Sequence, residues 1–440
     1  MRIIVWGINY APELTGIAPF NTGLCDHLRA AGHEVEMVTT FPYYPFWRKI
    51  PGDQGRHFRT DEIDGVPVHR CWHYVPSHAT TLRRIWHELS FGLTSLWRVL
   101  RLPVADVYVV VSPPLILGPF ARMACGLKRR PYVFHVQDLQ PDAAVGLGMV
   151  SPGLFTRLLY RLEALAYAGA ARVSGISSGM ISAFQRKGVP EEKRLLFPNW
   201  IRWYGRSCEL VMSADQRRDE AGVFRRKYQV PEGAFFVSYS GNLGRKQSLE
   251  ALLDAAAILY SGFLSPDDRA HEKVVAPPTS AIPGVEREIL IFVVGEGVMR
   301  DVLAKRIVDA GLKNVRLMPL LIENDYRAML AASDVSVILQ SSGTGQYFFP
   351  SKLLSALSTG TPILSVADED SELARAVDEG KFGVNVLPAQ PDALARALVA
   401  LANDPAALAT MRENTRWVRR FSPEAVLEPF ERELRKVVGG

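Results

Sequence analysis

The chain has 440 residues, 48% hydrophobic and 22% charged, which excludes a disordered chain and is too much for a single core. Its four cysteines (Cys25, Cys71, Cys125 and Cys208) lie without paired spacing, which excludes a disulfide framework and predicts reduced thiols, a cytoplasmic location and no metal site. The charge is uneven: residues 1–200 hold 22 Lys and Arg against 15 Asp and Glu, net +7, while the remaining 240 hold 29 against 31, net −2, so the first half is expected to meet an anionic partner.

In chain order, residues 2–6 read as a short apolar strand that starts at once, with no signal-peptide anatomy. A loop from Gly7 to Ile17 follows, then helical spacing from Phe20 to Ala30 and a strand from Val35 to Thr39. This strand–loop–helix–strand unit implies a parallel sheet. Gly16 precedes the helix closely, where bare backbone can approach a ligand. The loop has no GxGxxG spacing, so it is not read as a dinucleotide site. Further strands are expected at Val66–Arg70, Asp106–Val111, Tyr132–Val136, Arg172–Ile176 and Leu195–Phe197. His135 and Gln137 alternate onto one face at a strand end, with Asp138 next, and open parallel sheets bind ligands at such ends.

The first half also sets aromatic rings beside cations: Phe41, Tyr43, Tyr44, Phe46, Trp47, Arg48 and Lys49, then Arg83-Arg84-Ile85-Trp86. That composition suits a membrane interface with anionic headgroups. It also suits stacking on single-stranded nucleic acid, or ordinary packing between elements. No apolar run reaches membrane-spanning length, because Arg98, Arg101, Asp106 and Arg122 interrupt residues 91–125.

A polar, arginine-rich connection at 201–232 leads to a second run of alternating units, with strands at Phe235–Ser240, Ile289–Val294, Val315–Met318, Val335–Leu339, Ile363–Val366 and Gly383–Val386. Residues 262–287 read as a flexible insertion. The last helix, Pro423 to Val438, places Val426, Leu427, Phe430 and Leu434 on one face and is expected to lie back across the first domain. The whole is α/β: two Rossmann-like, doubly wound parallel-sheet domains at 1–200 and 201–420, then a C-terminal helix at 421–440, with the cleft between the domains as the default site.

Three loops of the second half are expected to converge at strand ends. One supplies Gly244, Arg245 and Lys246, and one supplies Gly295, Glu296 and Gly297. The third opens the helix of Pro350-Ser351-Lys352-Leu353-Leu354-Ser355, which closes at Gly360 before Pro362. Phe349 offers no side-chain cap, and Lys352 puts a cation at the positive end of the helix dipole, an arrangement that calls for an anion. Two cationic sites with glycine-rich backbone favour a diphosphate. No GxxxxGK[ST] is present.

These motifs, with Ser-Gly-Asn-Leu-Gly-Arg-Lys-Gln at 240–247, Val-Gly-Glu-Gly at 294–297 and Pro-Ser-Lys…Gly-Thr-Pro at 350–362, resemble the GT-B glycosyltransferases, and among them family 4 retaining enzymes of the colanic-acid and exopolysaccharide type. The resemblance implies metal-independent transfer of a sugar from a nucleotide-diphosphate donor, with no cofactor and no nucleic acid. Lys246 and Lys352, with Ser351 at the helix start, would hold the diphosphate, and Arg245 is a neighbour. Gly16 would let the first loop close over the sugar phosphate, and Glu296 and Gly297 would line the nucleotide pocket. A lipid-linked diphosphate sugar would match the basic, aromatic first domain, at the inner face of the membrane. Two departures stand out. The family's paired glutamates fall on Tyr347 and Ser355, the latter where the ribose is usually held. The usual His-Asp reads Gln137-Asp138, with His135 two residues earlier. Asp138 and His135 are therefore the catalytic candidates of the first domain. The missing glutamates leave open a non-catalytic scaffold on the same fold, and a nucleotide-sugar epimerase is the other alternative.

Overall fold

Short apolar runs become buried strands, and the polar-faced segments between them become helices that cover both sides of a sheet. The computed structural model describes residues 1–78, 80–146, 153–201, 210–244, 247–263, 287–343, 345 and 351–439. The chain divides into two units: Met1–Arg202 with Pro423–Gly440, and Trp203–Ser422.

The first unit runs β1 (Arg2–Trp6), α1 (Ala18–Ala30), β2 (Glu34–Thr40), β3 (Phe58–Ile63), β4 (Val66–Cys71), α2 (Thr81–Arg101), β5 (Val107–Ser112), α3 (Leu117–Lys128), β6 (Tyr132–Val136), α4 (Gln140–Gly146), α5 (Leu154–Gly169), β7 (Arg172–Gly175), α6 (Ser178–Arg186) and β8 (Arg194–Leu196). The strand order is β3-β4-β2-β1-β5-β6-β7-β8. Neighbours pair in parallel, with one correction to the sequence reading: β3 pairs antiparallel with β4. The turn is Asp64-Gly65, with φ of 49° and 77°, the two-residue geometry whose twist matches a hairpin. The alternation along β3 is between exposed and half-buried residues, so the strand carries little apolar signal. Its role is electrostatic. Asp61 pairs at 3.1 Å with Arg70, whose buried guanidinium bonds the carbonyls of Thr40 and Ala11. The hairpin thereby ties the loop after β1 to the end of β2.

The second unit runs α7 (Ala214–Lys227), β9 (Phe235–Ser240), α8 (Leu249–Phe263), β10 (Ile289–Val294), α9 (Arg300–Asp309), β11 (Val315–Met318), α10 (Glu323–Ala332), β12 (Val335–Leu339), α11 (Ser351–Ser358), β13 (Ile363–Val366), α12 (Glu372–Gly380), β14 (Gly383–Val386), α13 (Pro391–Asn403) and α14 (Pro405–Asn414). Its sheet is parallel throughout, in the order β11-β10-β9-β12-β13-β14. Phe235, Val237 and Tyr239 of β9 share a core with Ile291 and Val293 of β10 and with Leu252 and Leu253 of α8.

The chain then closes with α15 (Pro423–Gly439), which belongs to the first unit. Val426, Leu427, Phe430 and Leu434 join the core formed by β1, β5 and α1. The Phe430 ring stacks on Phe197 at 3.8 Å, and Glu433 pairs with Arg172 at 2.6 Å. Each fully buried apolar side chain of this kind contributes about 1.5–3 kcal/mol.

Candidate functional site

In the second unit, the loops after β9 and β10 are laced together by backbone. The Gly241 N–H bonds the Val294 carbonyl at 2.9 Å, and the Leu243 N–H bonds the Glu296 carbonyl at 2.9 Å. The approach is too close for side chains. A Cβ on Gly295 would lie 1.9 Å from the Gly241 carbonyl oxygen, and one on Gly297 would lie 2.5 Å from that of Leu243. Arg300 fastens the arrangement from α9, donating to the Gly295 carbonyl at 2.8 Å and the Met318 carbonyl at 3.1 Å. The exposed Glu296 carboxylate lies 3.5 Å from the same guanidinium.

Lys352 of α11 enters this arrangement. Its ammonium stands 4.8 Å from the Tyr239 ring centroid and 3.4 Å from the Tyr239 hydroxyl, which itself donates to the Asn242 carbonyl at 3.1 Å. A Cβ on Gly241 would fall 2.0 Å from that ammonium, so the side chain lies flat over bare backbone at the end of β9. Burial pushes the Lys352 ammonium down to about 8. Among the described residues no carboxylate is paired with it. A half-buried cation held by a ring face and a hydroxyl, without a counter-charge, is a site for an anion.

Ser351 is exposed one residue earlier, and Ser355 is half-buried one turn on. The helix ends as its sequence reads: Gly360 has φ of 73°, and the Thr361 N–H bonds the Ala356 carbonyl at 3.0 Å. Gly244 continues the first loop, its carbonyl accepting from the Gln247 N–H at 3.1 Å. Arg245, Lys246, Tyr347, Phe349 and Pro350 lie outside the described residues. Tyr239 is the residue that sequence reasoning missed: it reads as one more apolar strand position, and only the fold sets its ring beneath Lys352.

In the first unit, the loop after β1 is anchored by a buried carboxylate. Glu13 accepts from the N–H groups of Tyr43 and Tyr44, each at 2.8 Å, and from the Asn9 amide at 2.8 Å. Burial raises its pKa, and these donors oppose the rise. Gly16, at φ 67°, passes the Tyr44 ring, with a notional Cβ 3.4 Å away. The two loops border a half-open pocket of about 630 Å³ lined by Glu13, Tyr43, Tyr44, Phe46, Arg48 and Lys49. Lys49 stands 5.3 Å from the Trp72 ring centroid, and burial lowers its pKa.

His135 and Gln137 do converge. The Gln137 amide donates to His135 Nε2 at 2.8 Å and to Asn199 Oδ1 at 3.0 Å, while His135 Nδ1 lies 3.0 Å from Ser174 Oγ. Both ring nitrogens are engaged, and burial pushes the imidazole down to about 3. The ring is therefore a neutral core group whose visible work is to orient Gln137 and Asn199. Asp138 follows at the strand end, before α4. Nearby, Gln140 joins the Leu115 N–H at 2.6 Å to Glu88 at 3.0 Å. Burial raises the Glu88 carboxyl to about 7, a value suited to proton exchange at neutral pH. Glu13 and Glu88 sit singly in apolar or aromatic stretches, and nothing in their spacing marks them.

Comparison with known proteins agrees with this division. Residues 15–200 match the glycosyl transferase 4-like domain, and residues 222–418 match glycosyl transferases group 1. The chain is 30% identical over 381 residues to WcaI of Escherichia coli (strain K12), described as a colanic acid biosynthesis glycosyl transferase, covering 85% of each chain. Among solved structures it resembles sucrose-phosphate synthase from Thermosynechococcus elongatus, with a TM-score of 0.72, 17% identity and coverage of 100% of this chain and 99% of that one. It also resembles Anabaena Alr3699/HepE in complex with UDP-glucose, with a TM-score of 0.66, 16% identity and coverage of 99% and 100%. These neighbours share the GT-B fold.

Proposed function

The chain belongs to the glycosyl transferases, a 4-like domain followed by a group 1 domain, and from that premise we propose a retaining transfer in bacterial surface-polysaccharide biosynthesis. The donor is a nucleotide-diphosphate sugar and the acceptor a lipid-linked saccharide, handled peripherally at the inner face of the membrane. The observation that carries this reading is the Lys352 ammonium over Gly241, at the end of β9, with no carboxylate paired with it among the described residues. The donor diphosphate lies against this cation and the start of α11, with Ser351 beside it. Lys246 and Arg245 are assigned to the same diphosphate on their place in the sequence pattern alone. Glu296 and Gly297 line the nucleotide side, with Gly244 and Ser355 at its margin. In the transfer, the bond from the anomeric carbon to the β-phosphate oxygen breaks. The acceptor oxygen bonds the same face of that carbon, and its proton passes to the departing phosphate oxygen. Fixed cations meet the charge that develops on the diphosphate, so the reaction proceeds without a metal.

The cavity of the first unit supports the acceptor assignment. Arg48 and Lys49 offer charge to a diphosphate, and Tyr43, Tyr44 and Phe46 offer faces to sugar and lipid. Gly16 and Asp138 belong to the same binding end, Gly16 at the loop over the sugar phosphate and Asp138 toward hydroxyl groups. The support for a nucleotide donor is the UDP-glucose held by the HepE relative. The test is transfer from a panel of UDP-, GDP- and dTDP-sugars to a lipid-linked diphosphate sugar, with and without a chelator, and with the product anomer read by NMR. A retained anomer in chelator supports the reading. An inverted anomer, loss of transfer in chelator, or donor turnover that needs no acceptor overturns it.

A further inference from the structure

Helix α2 has two apolar faces. One packs inward through Phe91, Leu96 and Val99. The other points to solvent: Leu82, Trp86, Leu93, Trp97 and Leu100 are 79%, 49%, 49%, 42% and 39% exposed. Their spacing of four, seven, four and three residues keeps them on one side of the helix. An ordinary surface helix presents charge on that side.

We propose that this outward stripe docks the enzyme onto an anionic phospholipid bilayer. The inference deepens the peripheral-membrane part of the function above and rests on it. Charge selects the occupant. The helix carries Arg83, Arg84, Arg98 and Arg101 against one carboxylate, Glu88, which is bonded to Gln140. A second copy of the chain on a two-fold axis would set these arginines against one another. Anionic headgroups neutralise the exposed Arg83, Arg84 and Arg101 while the stripe enters the acyl boundary, Arg98 being bonded to Thr60 and His69. Trp86 and Trp97 lie about 16 Å apart along the axis at 1.5 Å per residue, both at the level where indole rings favour headgroups. The Arg101 guanidinium stands 4.3 Å over the Trp97 ring. Helix α3, which meets α2 where Phe120 closes on Gly92, adds exposed Met123 and Leu127.

Away from the stripe, the same helix is joined to the cavity loop. Arg84 lies 5.8 Å over the Trp47 ring, and His87 bonds the Tyr43 hydroxyl at 3.1 Å. Phe46 and Ile50, 67% and 52% exposed, line the cavity beside them. A bilayer that takes in α2 together with the exposed Phe46 and Ile50 sets the cavity mouth among headgroups, where a lipid-linked acceptor presents its diphosphate.

The experiment is co-sedimentation of the full chain with vesicles of phosphatidylcholine alone and with phosphatidylglycerol added. The wild type is expected to bind the anionic vesicles and to release as salt screens the arginines. The double variant Trp86→Ser, Leu93→Ser is expected to partition at least about tenfold less, from the apolar area removed. Circular dichroism and UDP binding are expected to be unchanged in the variant, which separates failure to dock from failure to fold or to bind donor. Three results overturn the proposal: no binding by the wild type, equal binding by the variant, or a wild-type dimer that the variant abolishes.

Discussion

The two units solve the same problem, a binding surface at the carboxyl ends of a parallel sheet, with different materials. In the second unit, backbone meets backbone: Gly241, Gly295 and Gly297 let two loops touch, and one lysine is laid over them. In the first unit, side chains do the joining. Glu13 gathers Tyr43, Tyr44 and Asn9, and Arg70 bridges two loops under the control of Asp61. A backbone-built surface tolerates no added atom but demands few particular side chains. A surface built of side chains can be reshaped, which suits the acceptor role proposed for the first unit.

The largest effect that sharpens this contrast is expected from Gly295→Ala. Its Cβ would overlap the Gly241 carbonyl oxygen, a main-chain atom that can move only with its strand. Destabilisation of several kcal/mol should appear in denaturant melts, together with loss of nucleotide binding. Glu13→Ala comes next. It leaves two buried N–H groups and an amide unsatisfied, at about 1–3 kcal/mol each before relaxation. Transfer to acceptor should fall while calorimetric donor affinity stays within about twofold; equal loss of both would break the contrast. Gly241→Ala is milder, because its Cβ meets the end of the Lys352 side chain and not main-chain atoms, although its φ of 142° adds backbone strain. Donor affinity should weaken about tenfold, with the melting curve lowered by less than in Gly295→Ala.

Acidity gives the smallest and broadest effects. His135 is neutral in the folded state, with burial pushing its pKa down to about 3 from the ordinary imidazole value near 6.5. Unfolded chains therefore take up more protons between those values. Stability is fully present above the unfolded value and falls by up to about 1.4 kcal/mol per pH unit below it, measurable by urea melts from pH 7 to pH 4. For Lys352 the sign is opposite in use. Its ammonium loses its proton as pH rises through about 8, so diphosphate affinity should decline between pH 7 and pH 9, with proton uptake by this group on binding within that range and none below it.

What the sequence disclosed follows the same division. The second sheet could be read strand by strand, since β10 is a continuous apolar run, β9, β12 and β13 are apolar but for serine, and β11 and β14 are short and bounded by turn residues. The Pro-Ser-Lys helix and Val-Gly-Glu-Gly loop announced backbone chemistry, because glycine and helix ends leave local marks. Strand β3 was hidden, half-exposed and polar, although its Asp-Gly turn was in plain view. Glu13, Glu88 and Tyr239 were hidden for a different reason. Each acts on partners far along the chain, Glu13 on residues 30 and 31 positions away and Tyr239 on Lys352, 113 positions away. Such pairings are set by the fold and leave no spacing to read. His135 was legible as a neighbour of Gln137, and as a core histidine on an apolar strand.

The central claim is that the Lys352 ammonium grips the donor diphosphate. Calorimetric titration of UDP into the wild type and into Lys352→Ala at pH 7 tests it most directly. The account predicts affinity at least about thirtyfold weaker in the variant, near 2 kcal/mol for a lost charge-assisted contact, with an unchanged circular dichroism spectrum. Equal affinity in the two proteins would contradict it.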